Sequence, residues 1–347
     1  MRAIVNSSVP AWAALVLCAA SVQALAAQSY TPADMDCSQA QQTSAPHALI
    51  SNGLVNAVVY LPNPTDGYYR ASRFDWSGSV ACLAYKGHTY FGVWFAKYDP
   101  LINDAITGPV EEFRSEDGNG APFYDEAKPA DLFVKPGVGA LRRLDDKPFD
   151  FHKLYPIVDG GKWKVHATRD SVSSRQTLNS SIGVAYVYTK TLKLDKQAPV
   201  LALEHTLKNT GTKTIDIEVY EHDFYRLDNE PTGPSISIRF PFEPRAAQTL
   251  QNDARLDGKQ LIYGRELKPG ETVQSDILGS ANKVSDYDFF IENSRTGAGV
   301  EQSADVPLAL LHLWSIRSTV CPEAYIHVSI PPGQTAHWTI RYRFYTK

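Results

Sequence analysis

The chain of 347 residues has a net charge of −4 and contains no basic run or stripe, which argues against nucleic acid as a partner. Its 18 tyrosines and 6 tryptophans, against only 2 methionines, are typical of pleated sheets that face a ligand or one another. Beyond the first 30 residues no segment approaches the length of a transmembrane helix, so we expect no membrane association of the mature chain.

The first residues follow the pattern of a secretory signal peptide. Arg2 precedes an apolar stretch over 11–20, and the small residues of Ala24-Leu25-Ala26 form a signal-peptidase site. The apolar stretch is short for a membrane anchor, and polar residues follow it. We therefore predict a signal peptide over 1–26, a polar arm over 27–48 and a secreted or periplasmic protein.

Three cysteines remain after the signal, namely Cys37, Cys82 and Cys321. An oxidising compartment allows one disulfide with one thiol left over, and the sequence alone leaves the pairing open, including the case of three unpaired thiols. We favour a Cys37–Cys82 bond, which would tie the arm to the body of the protein.

From residue 49 onward the chain consists of short apolar-alternating runs separated by Gly, Pro and Asn or Asp. Their period of two and their β-branched and aromatic content predict strands. The clearest runs are 55–61, 184–188, 236–240 and 337–344, whereas 308–314 fits a helix or a strand. Because no linker composition or internal repeat divides the chain, we predict one all-β domain over 49–347, an extended β-sandwich.

The segment 214–224 carries the most information about function. Side chains alternate across a strand, so this segment presents one apolar face and one acidic, aromatic face with an imidazole in its middle. The second face consists of Asp216, Glu218, Tyr220, His222 and Phe224.

The segment 320–330 repeats this arrangement, with Cys321, Glu323, Tyr325 and His327 opposite its apolar face. Two such strands could line one cleft. A carboxylate and an imidazole form a workable base and acid near neutral pH, each contributing ~10²–10⁴ in rate. Aromatic faces beside carboxylates also suit sugars, whose C–H groups pack on rings. The alternative is the ordinary polar face of a β-protein.

The segment 201–211, which ends in Asn-Thr-Gly, and His222-Asp223-Phe224-Tyr225 resemble the galactose mutarotase (aldose 1-epimerase) superfamily. In that superfamily a strand ending in Asn-Thr-Gly precedes a strand with His-x-Tyr/Phe-Phe. Val320-Cys321-Pro322-Glu323, the turn at 331–334 and the final strand at 338–344 resemble the same superfamily's C-terminal end. Order and spacing are similar over nearly the whole predicted domain.

The resemblance implies a large twisted antiparallel β-sandwich, the mutarotase-like supersandwich, with a sugar cleft on its concave face. By position, His222 matches the family's general acid and Glu323 its general base. In the mechanism of that family, the carboxylate takes the proton of the anomeric hydroxyl while the imidazole protonates the ring oxygen. The ring then opens, the aldehyde rotates, and reclosure gives the other anomer. This chemistry needs no metal and no organic cofactor.

The N-terminal half departs from the family pattern. Where hexose-phosphate epimerase-like members carry His-Gly-x-x-Arg, the segment 137–143 has no histidine. Arg142 or Arg143 could still bind an anionic group or a hydroxyl of the sugar, and the alternative is a solvated surface charge.

Further candidates are substrate-binding residues. Glu111 and Glu112 are adjacent carboxylates after Gly-Pro, and Glu112 is our candidate to reach the cleft, the alternative being ion pairs with arginines. His312 and Trp314 would share a face if 308–316 is a strand, and could equally lie in the core. With Tyr220, Phe224 and Tyr325 they complete the predicted sugar-contacting set.

The histidines at 152, 166 and 205 have no metal-ligand spacing with one another, so we expect no metal site.

Our leading interpretation is a secreted carbohydrate-active enzyme, an isomerase of the aldose epimerase type acting on a mono- or oligosaccharide. Two alternatives remain. One is a polysaccharide lyase or hydrolase on the same fold, with Tyr225 or Tyr325 as proton donor, and the other is a non-catalytic carbohydrate-binding protein. Export favours extracellular glycans over sugar phosphates.

Overall fold

Nearly every regular element in residues 44–347, the part of the chain that the computed structural model describes, is a β-strand. Two 3-10 turns, Leu227–Asn229 and Val284–Asp286, are the other regular elements of that part. The all-β prediction is confirmed. The predicted signal peptide, residues 27–43 of the arm and Cys37 lie outside the described residues.

The described part contains 23 strands, numbered here in chain order. They are β1 (His47–Ser51), β2 (Val55–Tyr60), β3 (Val80–Tyr85), β4 (His88–Thr89), β5 (Val110–Ser115), β6 (Leu132–Lys135), β7 (Gly139–Arg142), β8 (Ile157–Asp159), β9 (Lys162–Ala167), β10 (Ser171–Asn179), β11 (Ala185–Leu194), β12 (Val200–Asn209), β13 (Ile215–His222), β14 (Ile236–Arg239), β15 (Arg245–Ala246), β16 (Ala254–Asp257), β17 (Gln260–Tyr263), β18 (Thr272–Leu278), β19 (Asp288–Asn293), β20 (Ala298–Ala304), β21 (Leu310–Ile316), β22 (Thr319–Ile330) and β23 (Thr335–Thr346). The predicted runs fall in β2, β11, β14 and β23, and the ambiguous run becomes β21.

The strands form four antiparallel sheets. A ten-stranded sheet has the order β16-β17-β14-β19-β20-β23-β12-β11-β10-β9, and a six-stranded sheet has the order β15-β18-β21-β22-β13-β5. Smaller sheets comprise β1-β2-β3-β4 and β6-β7-β8. The neighbours β22 and β13 pair with Tyr220 opposite Tyr325, which brings the two segments singled out in the sequence side by side.

One hydrophobic core is shared by the two large sheets. Leu203 and Ile340 contribute to it from the ten-stranded sheet, and Val219 and Ile326 from the six-stranded sheet, all buried. Alternation therefore turns one face of each strand into this core and leaves the other face free. On the six-stranded sheet, the free face is the one that carries His222.

A second apolar cluster holds the loops before β5 against that free face. Tyr68, Phe74 and Trp76 pack there with Phe224 and Cys321. Asp75 donates its backbone N–H to the carbonyl of Glu111 over 2.9 Å, which fixes the same loop to β5. These contacts bring side chains from residues 73–104 over the sheet.

The cysteines follow part of the prediction. Among the described cysteines, Cys82 is in a disulfide and Cys321 is a buried free thiol. Cys37, the predicted partner of Cys82, lies outside the described residues. The described part also contains no helix long and apolar enough to cross a membrane.

Candidate active site

A cleft of about 340 Å³ opens on the free face of the six-stranded sheet. Its floor comes from the strands β13, β22 and β21, which place His222, Glu323 and His312 next to one another. Its walls come from loop residues before β5, including Arg73 and Trp94. Strand alternation therefore supplies the titratable groups, and the loops enclose them.

His222 and Glu323 are in direct contact. The Nε2 atom of His222 lies 3.3 Å from Oε1 of Glu323, and both side chains are buried. Phe224 stacks on the imidazole with ring centroids 3.7 Å apart, and Phe74 meets it edge-on at 5.5 Å. Phe224 lies just after the end of β13 at a φ of 46°, in the left-handed region that bulky residues rarely adopt. That backbone conformation folds its ring back over His222.

Burial shifts the two partners in opposite senses. It raises the pKa of Glu323 to about 7, although His312 and Arg73 oppose the shift. It lowers the pKa of His222 well below 6.5, and the charge of Arg73 adds to that effect. The pair therefore loses its last proton near pH 7, and in the singly protonated state the proton lies mainly on the carboxyl group.

A second imidazole flanks the same carboxyl group. His312 lies directly across from Glu323 in the β21–β22 pairing, and Asp276 lies across from His312 in the β18–β21 pairing. Oδ1 of Asp276 is 2.6 Å from Nδ1 of His312. A carboxylate at Nδ1 fixes the orientation of the ring and keeps the proton of a neutral imidazole on that nitrogen.

Aromatic rings form much of the lining of the cleft. Trp94 stacks on Phe224 with centroids 4.5 Å apart and meets Trp314 edge-on at 5.7 Å. Tyr220 and Tyr325 stack on each other at 4.3 Å along the floor. Such surfaces can pack against the C–H face of a ring-shaped ligand while leaving its hydroxyls to polar neighbours.

Two arginines also line the cleft, and Arg73 donates to the cleft carboxylate of Asp104 over 2.6 Å. Arg73 and Arg114 both line the cleft, and both donate to the fully buried Glu112, through Nε over 2.9 Å and Nη1 over 3.2 Å. Tyr220 donates its hydroxyl to the same carboxylate over 2.6 Å. Burial alone would raise the pKa of Glu112, but Arg73 and Arg114 keep it well below its usual range. The arginines are thus held in place before any ligand arrives.

The structure brings most of the sequence-derived candidates together. Seven of them line the cleft, namely His222, Glu323, Tyr220, Phe224, Tyr325, His312 and Trp314. Glu112 does not reach the cleft space, because it lies beneath the two arginines that it holds.

The expectation for the arginine pair after β6 needs correction. Arg143 is buried and donates to the backbone carbonyls of Tyr124, Ala127, Asp145 and Lys147, which makes it a structural residue. Arg142 is exposed, donates to the carbonyl of Ala130 and borders a separate surface depression. The cleft arginines are Arg73 and Arg114, which the sequence did not single out.

A buried polar network lies directly behind the cleft, between the two large sheets. Glu111, on the core face of β5, accepts a bond from Nζ of Lys190 and lies 2.6 Å from Nε2 of His205. Burial opposes its ionisation, but the attraction of Lys190 and the contact with His205 lower the pKa of Glu111 to about 2. An ionised Glu111–Lys190 pair is therefore part of the sandwich core.

Further carboxyl groups surround this pair. Burial raises the pKa of Asp75 to about 7 and those of Glu221 and Asp223 well above their usual range. Glu111, His205 and Glu221 offer ligand atoms within 4.8 Å of one another, a separation that a metal ion could use and that the spacing of these residues in the sequence does not indicate. The ammonium of Lys190 already neutralises Glu111 at that position, so the trio belongs to a buried polar network.

The fold is a β-sandwich similar to those of solved galactose mutarotase-like proteins. Among solved structures, the chain is similar to a GalM/aldose epimerase homologue from C. elegans, with a TM-score of 0.56, 14% identity, and coverage of 87% of this chain and 99% of that one. It is similar to a galactose mutarotase-like protein from Clostridium acetobutylicum, with a TM-score of 0.53, 11% identity and coverages of 86% and 95%. The Slr1438 protein from Synechocystis sp. PCC 6803 matches with a TM-score of 0.53, 13% identity and coverages of 88% and 97%.

No family model and no curated protein matches the sequence. At identities of 11–14% the likeness to these structures concerns the fold alone. The predicted supersandwich is confirmed at that level.

Proposed function

We propose that this protein is a carbohydrate-active isomerase that interconverts the anomers of a reducing sugar, exported to the periplasm or the cell exterior. The observation that carries the proposal is the contact between His222 and Glu323 at the floor of a cleft that is lined by aromatic rings and two arginines. The likeness to mutarotase-like folds supports a sugar as the ligand.

In the proposed reaction, the Glu323 carboxylate takes the proton of the anomeric hydroxyl and the His222 imidazolium gives one to the ring oxygen. The ring opens, the exposed aldehyde rotates, and reclosure returns both protons to their starting groups. The active form is therefore the singly protonated pair, with its proton on the imidazole. Since burial favours the proton on Glu323, the active arrangement is the minor one, and a sugar oxygen between the groups would have to stabilise it.

This assignment fixes the pH dependence of the reaction. Above about pH 7 the pair loses its last proton, so kcat/KM should fall about tenfold for each further pH unit. In acid, protonation of both groups removes the base, and because the pKa of His222 is lowered, this limb should lie below pH 6.5. The profile can be measured by polarimetry or proton NMR on freshly dissolved single anomers, after subtraction of the buffer-catalysed rate.

A rate that rises through pH 7 and then stays constant would contradict the assignment. It would mean that ionised Glu323 acts as the base with a proton donor other than His222.

His312 should tune this profile. His312 opposes the effect of burial on Glu323 and holds the pKa of that carboxyl group lower than burial alone would. In His312→Asn the alkaline limb should therefore move to higher pH. The interaction between two neighbouring residues is typically worth ~0.5–3 kcal/mol, so we expect kcat of His312→Asn to fall by roughly 2- to 150-fold. The matched control is His327→Asn, which removes an exposed histidine of β22 that pairs with Asp216 outside the cleft. An unmoved limb in His312→Asn would exclude the electrostatic role of His312.

The two cleft arginines favour one second candidate, a lyase acting on a uronate-containing polysaccharide. Arg73 and Arg114 could bind the uronate carboxylate, and Tyr325 lines the cleft as a proton donor, whereas Tyr225 is buried and donates to Gln302. A lyase would release unsaturated products that absorb in the near ultraviolet. Their appearance with polyuronates, without anomerisation of free aldoses, would replace the isomerase proposal.

A further inference from the structure

The aromatic wall of the cleft continues along the surface beyond the cleft. Trp94, inside the cleft, meets Phe95 edge-on with centroids 5.8 Å apart, and the Phe95 ring lies 6.4 Å from the Tyr98 ring with an angle of 29° between their planes. Phe95 is half-buried, and Tyr98 is 47% exposed. We call Trp94, Phe95 and Tyr98 the aromatic ladder.

The ladder is held in place from below. Tyr98 stacks on Tyr68 at 4.5 Å, Tyr68 stacks on the buried Tyr60 at 3.8 Å, and the Tyr98 hydroxyl donates to the carbonyl of Tyr68 over 2.6 Å. Trp94 donates its indole N–H to the carbonyl of Ile106 over 2.8 Å. Since these rings are already ordered, a ligand that stacks on them loses little further side-chain entropy.

The composition of the segment indicates the kind of ligand. The exposed, charged Lys97 and Asp99 flank Tyr98, so polar groups border the exposed ring. A pyranose presents both features that such a surface matches, a C–H face for the ring and hydroxyls for the charged groups at its edge. A purely apolar partner would leave those charged groups without hydration.

We propose that the aromatic ladder binds the sugar units of a chain whose reducing-end unit occupies the cleft, so that the substrate is a reducing oligosaccharide. Trp94 belongs to both surfaces, which makes the ladder continuous with the cleft. The free anomeric centre lies at His222 and Glu323, and the neighbouring units extend over Phe95 and Tyr98. This inference rests on the proposed function.

The test compares an aldose with its reducing dimer and trimer. We expect kcat/KM for anomerisation to rise with chain length by about 2- to 10-fold for each stacked unit. In the double variant Phe95→Ala and Tyr98→Ala, the ratio of trimer to monomer should return to about one. The control Val93→Ala removes an exposed apolar side chain of the same segment, 47% exposed, and should leave the ratio unchanged. Each ratio of trimer to monomer is measured on one preparation, so partial misfolding does not affect it. If the double variant does not fold, the single variant Tyr98→Ser replaces it.

The possible outcomes separate the two proposals. If aldoses are anomerised but the wild-type ratio is about one, or the double variant keeps the wild-type ratio, the ladder proposal fails and the proposed function stands. If no sugar is anomerised, the proposed function fails. Calorimetry with the trimer then tests whether the aromatic ladder binds sugar units. Binding that strengthens with chain length and is weakened in the double variant upholds it, and binding independent of Phe95 and Tyr98 refutes it.

Discussion

Replacing Glu323 by Gln should abolish most of the anomerase activity while sparing sugar binding. The amide preserves the size of the side chain and can still contact His222, but it cannot accept a proton. General acid–base catalysis contributes ~10²–10⁴ in rate, so kcat should fall by that factor. Polarimetry on single anomers measures the rate, and calorimetry with the same sugar measures binding.

Glu218→Gln is the matched control for this substitution. Glu218 lies on the same face of β13 as His222 but outside the cleft, and it pairs with Arg114 and His327 in the strand register. The Glu218→Gln variant should retain activity within about twofold. A substitution outside the core and the active site usually changes the free energy of unfolding by no more than about 0.5 kcal/mol. A Glu323→Gln variant that keeps its rate would refute the general-base role.

Replacing Lys190 by Met should destabilise the fold severely. Lys190 is fully buried, contacts Glu111 and donates to the carbonyl of Ser77 over 3.0 Å. Removing one partner of a buried ion pair leaves the other charge uncompensated, which typically costs about 3–5 kcal/mol of unfolding free energy. Urea denaturation measures the loss in unfolding free energy, provided that the dependence of this free energy on urea concentration is the same in both proteins.

Acid should reduce the difference in unfolding free energy between the wild type and Lys190→Met. The folded-state pKa of Glu111, about 2, lies below its usual 4.5, so its stabilising contribution is fully present above 4.5 and is lost as the pH falls toward 2.

Two further variants show whether the effect comes from the buried pair. Adding Glu111→Gln to Lys190→Met should recover part of the loss, because the unpaired charge is then removed as well. Lys193→Met removes a half-exposed lysine of the same strand, whose partner Glu204 is also half-exposed, and should cost at most about 1 kcal/mol. A Lys190→Met protein within 1 kcal/mol of wild type would contradict the account of the network.

The parts of the site that could be predicted are those encoded within single strands. Alternation placed His222 on the free face of β13 and Glu323 on that of β22, and the antiparallel pairing of the two strands then brings the side chains together. The same alternation supplied Tyr220, Tyr325, His312 and Trp314. These assignments need only the period of a strand, which is a local property of the sequence.

Residues delivered by irregular loops could not be placed in this way. Arg73, Trp94 and Asp104 lie between β2 and β5, in a segment where strand periodicity offers little information about direction. The contact of Lys190 with Glu111 joins positions 79 residues apart on different sheets, and depends on how the sheets pack. One signal was available, however, since alternation in β13 puts Glu221 on the core side, where only apolar residues were expected.

The alternation of polar residues on both faces also constrains how the strands can align. Glu111 and Glu112 are consecutive, as are Glu221 and His222, yet one of each pair belongs to the core network and the other to the cleft side. A shift of β13 against β5 by one residue would exchange the core face and the cleft face of β13. Glu221 would then turn toward the cleft side and His222 toward the core, which removes Glu221 from the buried network and His222 from the cleft. A misaligned pairing of β5 with β13 would thus disrupt the buried polar network as well as expose apolar surface, so the polar groups of the sandwich interior favour the one alignment that assembles the cleft.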